Sequence, residues 1–239
     1  MKRLLTCCTG FALMLGSHAL AGEATAVSYA TNGGSASATS TAIGNARSTA
    51  IAGATRGGRA VADSRARGVH NGFADSRSVA VADRGLAVST ANADAVGLFG
   101  GSAIADSESI AATVGGVAIS NSDAQADGVF HGHASSRSTS TALSEFGTSI
   151  SDSRVVSRGR FGGRAVGVSD SLSRTFGGVA KSDVRAVSHA GFHARSSANG
   201  AGVSISGRWR AARSNVVAES RARDFGRSWS EARVVTVRP

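Results

Sequence analysis

The stretch FGGRAVGVSDSLSRT, residues 161–175, is followed at once by FGGVAKSD from Phe176. The unit opens on an aromatic and two glycines, alternates small and larger residues, and begins again at the fifteenth position on. Three units of fourteen start at Gly57, Asn71 and Gly85. Later ones start at Phe99, Val114, Phe130, Phe146, Phe161 and Phe176, at intervals of fifteen or sixteen. A short repeat at a near-constant period limits the chain to architectures in which each unit is buried against its neighbours, a solenoid or an array.

Inside the units the period is two, which predicts strands. In residues 101–112, Ala103, Ala105, Ser107, Ser109 and Ala111 alternate with Ser102, Ile104, Asp106, Glu108 and Ile110. In the unit from Phe161, Ala165, Gly167, Ser169, Ser171 and Ser173 alternate with Arg164, Val166, Val168, Asp170, Leu172 and Arg174. Charges cannot line a narrow interior without partners. The uniformly small parity is therefore expected inward and the mixed parity outward. The alternative places Val and Ile inward, with the charges confined to corners. Paired glycines suit tight corners. The mid-unit steps Asp63-Ser64, Asp75-Ser76, Asp106-Ser107, Asp152-Ser153 and Ser182-Asp183 suit a second bend. Each unit then reads as two short strands and two corners, one coil of an all-β solenoid or β-roll. About twelve coils of 14–16 residues, at ~4.8 Å each, would form a rod on the order of 60 Å long.

Composition excludes a conventional core: glycine is 31 of 239 residues, proline 1, and aromatics 5%. Scarce proline, 18% charge and regular alternation argue against a disordered chain. Lys2 and Arg3, the apolar run Leu4 to Leu15 and the small-x-small site Ala19-Leu20-Ala21 form an expected signal peptide, residues 1–21, cleaved after Ala21. Cys7 and Cys8, the two cysteines of the chain, fall inside it, so no disulfide framework is expected. The remainder divides into an opening segment, 22–56, solenoid repeats, 57–205, and irregular C-terminal repeats or a cap, 206–239. No later stretch reaches the ~18 consecutive apolar residues of a spanning helix, and the expected location is extracellular or on the cell surface.

The net charge is +10, carried almost wholly by arginine. The series Arg154, Arg158, Arg160, Arg164, Arg174, Arg185 and Arg195 is the candidate binding site for a polyanion such as lipopolysaccharide, an acidic glycan or nucleic acid. Val166, Val168 and Leu172, if outward, form an apolar stripe of the kind that marks an oligomer interface. His131/His133 and His189/His193 lack the cysteine or acidic neighbours of a metal centre. No nucleophile elbow, phosphate loop or paired carboxylates occur. No catalytic residue, metal or cofactor is expected, and the chain reads as a non-enzyme.

STAIGNARSTAIAG, residues 40–53, resembles the YadA-like head repeats of trimeric autotransporter adhesins, with aliphatic and small residues alternating and glycine at the bends. The resemblance is close only over Ser40–Gly53. It extends to no stalk or membrane anchor, and later units lengthen and carry Asp-Ser. It implies a β-roll head, a homotrimer, and adhesion to a host or cell-surface ligand. The leading expectation is an exported structural or adhesive solenoid at the bacterial cell surface, with a basic polyanion-binding module and a secreted amyloid-forming repeat protein as alternatives.

Overall fold

The computed structural model describes residues 16–19, 22–69, 72–99, 101–192, 195–207, 211–223 and 227–237. Of the expected signal peptide, only Gly16–Ala19 falls within them. Sixteen strands follow in order: β1 Gly16–Ala19, β2 Gly22–Ala30, β3 Ser35–Ile43, β4 Ala46–Ala54, β5 Arg59–Gly68, β6 Phe73–Asp83, β7 Leu86–Gly97 and β8 Ser102–Val114, then β9 Val117–Gly128, β10 His133–Ser144, β11 Thr148–Gly159, β12 Arg164–Thr175, β13 Val179–Ala190, β14 Arg195–Ser206, β15 Ala212–Ala222 and β16 Arg227–Val237. The odd strands form one parallel sheet, the odd sheet, and the even strands a second, the even sheet; each has eight strands. Every strand pairs with the one two places on, so the chain winds from sheet to sheet as a β-solenoid.

The solenoid is as expected, but its turn is not one unit. Each repeat unit is a single strand with one corner, and two units make a coil. Ser35 pairs with Arg59, Arg59 with Leu86, and Leu86 with Val117, so the step lengthens from coil to coil. It then holds as far as Arg195, since His133, Arg164 and Arg195 follow one another at the same interval as Leu86 and Val117, and lengthens by a single residue from Arg195 to Arg227. Halving the number of coils shortens the rod, and eight strands at ladder spacing span about 34 Å. The Asp-Ser steps are not bends either. They lie mid-strand, with the serine turned inward and the aspartate outward.

The small parity faces in. Ala60, Ala62, Ser64, Ala103, Ala105, Ser109, Ser169 and Ser173 are each 0% exposed. Aspartate and arginine occupy the other parity, where nearly every arginine is exposed and most aspartates are half-buried. The interior is thin enough for one hydroxymethyl group to span it. Ser109 Oγ donates to the Ser89 carbonyl of the other sheet at 2.8 Å, Ser120 Oγ to Ser109 O at 2.7 Å, Ser140 Oγ to Ser120 O at 2.6 Å, and Ser151 Oγ to Ser140 O at 2.7 Å. The sheets therefore lie well inside the ~10 Å of ordinary face-to-face packing. A carbonyl has two lone pairs, so it serves its strand neighbour and the opposing serine together. Where a larger side chain points in, glycine stands opposite: a Cβ on Gly167 would come within 2.8 Å of Val155 Cγ1.

The two corners differ. At the even-to-odd corner glycines stack on one another through Gly58, Gly85, Gly116, Gly147 and Gly178. The ladder continues across them, with Val117 N donating to Gly85 O and Thr148 N to Gly116 O. At the odd-to-even corner Phe99, Phe130 and Phe161, one per coil, stack with ring centroids 5.5 and 5.2 Å apart and planes 5° and 10° from parallel. All three have φ of 50–54°, a left-handed backbone that is costly for an aromatic residue.

Candidate functional site: a basic corner

The odd-to-even corner turns basic toward the C-terminal coils. On its even-sheet side, register stacks His133, Arg164, Arg195 and Arg227 at the starts of four consecutive strands. On its odd-sheet side Asp127, Arg158, His189 and Arg221 stack near the strand ends. Arg160 and Arg223 lie in the bends between the two rows. A groove of about 290 Å³ is lined by Arg158, Arg160, His189, Arg221 and Arg223.

Most of this charge has no protein partner. Arg158 reaches Asp127 at 3.6 Å and Arg221 pairs with Glu219. Among the described residues Arg160, Arg164, Arg195, Arg223 and Arg227 make no ion pair, and all five are exposed. Burial, foremost, and then the guanidiniums of Arg221, Arg158 and Arg223 hold the His189 imidazole below its ordinary pKa, against the pull of Glu219. Like charges directly opposite on neighbouring strands destabilise a sheet, so an anion laid along the corner relieves a strain that the protein leaves in place.

The arginines singled out from sequence do not form one stripe. Arg158, Arg160, Arg164 and Arg195 meet at this corner. Arg154 and Arg185 are a registered pair in the middle of the odd sheet's outer face, beside Asp123 in the next coil. Arg174 lies at the far end of β12, on the even sheet, among aliphatic neighbours. Sequence reasoning missed Arg221, Arg223 and Arg227, and gave His189 no part in a basic site. The recurrence of Phe99, Phe130 and Phe161 at a fixed interval was the available signal, because Arg164 and Arg195 share that interval. Of the histidine pairs, His193 lies outside the described residues, and the His131 ring lies against Gly162 in the next coil.

Val166, Val168 and Leu172 all point outward from β12 and are half-buried, which decides between the two orientations left open by sequence. They fall in three different rows of the even sheet. Leu172 belongs to a ladder of Val27, Ile51, Val79, Ile110, Thr141, Leu172, Val203 and Val235, aliphatic except at Thr141, that runs the length of that sheet. The adjacent row holds Val81, Ala112, Leu143, Arg174 and Ile205. It floors a groove of about 1380 Å³ walled by Phe146 and Phe176, whose rings meet edge to face at 5.9 Å.

Among the described residues no helix is long and apolar enough to cross a membrane. No known protein family, curated protein or solved structure matches the chain.

Proposed function

We propose that this chain is an exported, non-enzymatic β-solenoid with a structural or adhesive role at the bacterial cell surface, and that its C-terminal coils bind a polyanion along the basic corner. The observation that carries the reading is the registered row Arg164–Arg195–Arg227, three cations at ladder spacing without an ion-pair partner among the described residues. The serine-bonded interior supports the structural half, because it holds the corner's backbone rigid and so fixes the charges relative to one another. A linear ligand with closely spaced phosphates, sulfates or carboxylates fits a corner whose charge repeats from β12 to β14 to β16.

Retention of the purified protein on immobilised heparin tests this. Retention falls steeply as salt approaches ~0.15 M, where surface charges are screened within about 8 Å. Replacing Arg160, Arg164 and Arg195 with Ser lowers the eluting salt concentration more than replacing Arg59, Arg65 and Arg67. Arg65 and Arg67 already pair with Asp63 and Asp94. Equal losses from the two triple variants reduce the corner to a share of the net charge and overturn the reading.

A further inference from the structure

The outer face of the even sheet is self-complementary, and we infer that it is the interface between two copies of this chain packed face to face. A two-fold axis parallel to the strands, passing between β8 and β10 at the middle of the eight, keeps each row of side chains in place and reverses the order of the coils. β8 then faces β10 of the other copy, and β6 faces β12.

On the four central strands, β6 to β12, this operation matches opposite charges, while at the two ends Glu23 of β2 meets Glu231 of β16 in the same row. Asp106 on β8 and Arg137 on β10 share a row, so each meets the other's counterpart across the interface. Arg77 on β6, which also pairs with Glu108 of its own chain at 2.8 Å, and Asp170 on β12 share the next row and do the same. It also matches size: Ala112 is set against Leu143 in the groove row, and Val79 against Leu172 in the aliphatic ladder. The odd sheet fails the same operation. About its middle strand β9, Asp63 meets Asp183 and Arg65 meets Arg185, like against like. Counting β1 as an eighth strand moves the axis and sets Asp63 against Asp152 and Arg65 against Arg154, again like against like.

The dimensions suit a stable pair. Eight strands span about 34 Å along the axis, and the rows of outward residues beyond the corner row, from Val166 to Arg174 on β12, about 7 Å apart, span about 27 Å across the strands. The face thus offers on the order of 900 Å² per copy, against the ~800 Å² per partner of standard interfaces. A second copy is favoured over an unrelated partner because its side chains repeat at the same interval over the same length. An isologous interface of this kind closes at two copies.

Sedimentation of the full chain tests the pairing, and it reads mass rather than anion binding, so its outcome is separate from that of the heparin experiment. The expected result is a reversible dimer. Asp170→Arg sets cation against cation and weakens the dimer at least ~10-fold, because like charges brought together across an interface are costly. Arg77→Glu weakens it likewise, and the double variant Arg77→Glu/Asp170→Arg recovers it. Within one chain these residues lie three strands apart, about 14 Å, so recovery reports contact between copies. Circular dichroism of each variant at low concentration separates loss of assembly from loss of fold. A wild-type chain that is monomeric at ~100 µM, a trimer, failure of the double variant to recover, or a monomer that instead partitions onto phosphatidylglycerol vesicles through this face overturns the inference.

Discussion

Ser89 and Ser78 face each other from opposite sheets, and the Ser89 hydroxyl donates to the Ser78 backbone carbonyl at 2.8 Å. The contact recurs as a zigzag through Ser109, Ser120, Ser140, Ser151, Ser171 and Ser182, alternating between sheets at each step. It gives an interior of alanine and serine the cohesion that its small apolar area does not. Each such bond contributes about 1 kcal/mol net, but two or more occur at almost every coil.

Ser120 tests this interior. Ser120→Ala removes one donated bond, while the Ser120 carbonyl still accepts from Ser140, so the expected loss is about 1 kcal/mol. Ser120→Val adds methyl groups where the opposing backbone stands at hydrogen-bond distance, and overpacking there costs about 1–3 kcal/mol or more. Urea melts that rank Val below Ala below wild type support the account. A valine variant as stable as alanine would mean that the sheets separate easily.

The glycine corner is a second test. A Cβ on Gly116 would lie 1.9 Å from the Gly85 carbonyl oxygen, whereas one on Gly191 meets nothing nearer than 3.5 Å. Gly116→Ala must displace backbone that is itself laddered, at about 1–3 kcal/mol or more. Gly191→Ala stays within about 0.5 kcal/mol of wild type. Thermal denaturation of the two variants compares them directly.

Asp152 offers a test by pH. Burial, more than the neighbouring Asp183, holds its carboxyl above the ordinary value of 3.8, against Lys181, Arg154 and the Ser153 amide. The folded chain thus keeps this proton more tightly than the unfolded chain. The contribution is fully present below 3.8 and is lost as pH rises through the raised folded value. Asp152→Asn, which matches Asn121 in the same row, is expected to raise the melting temperature at pH 7, with the gain shrinking toward zero as pH falls to about 4. A gain independent of pH would assign the effect to packing.

The strands and their inward parity were readable because arginine and aspartate never enter the small-residue positions. The coil was not readable from the unit alone, because odd and even units have the same composition and the same small-residue alternation. Only the corner aromatics, Phe99, Phe130 and Phe161 on one side and Phe146 and Phe176 on the other, betray that two units make a turn. The Asp-Ser steps misled for a physical reason. A serine that bonds its own backbone marks a bend, and one that bonds a facing sheet marks a strand; the bonds from Ser64 to Ser48, Ser76 to Ser64, Ser107 to Ala91, Ser153 to Ser138 and Ser182 to Ser171 are tertiary and leave no trace in the local sequence. The arginines divide among two faces and a corner because neighbours in sequence alternate sides, while those one full coil apart become neighbours in space.

The backbone bonds of both ladders point along the axis, and β2 and β16 lie at opposite ends of their sheet. A force applied between those ends therefore loads the bonds of one coil boundary at a time, peeling rather than shearing. A folded coil accounts for ~4.8 Å of length, while the same stretch of chain, once extended, reaches roughly 100 Å. Tension is thus met by stepwise lengthening about twentyfold per coil, and the coils still wound keep their arginine rows in register.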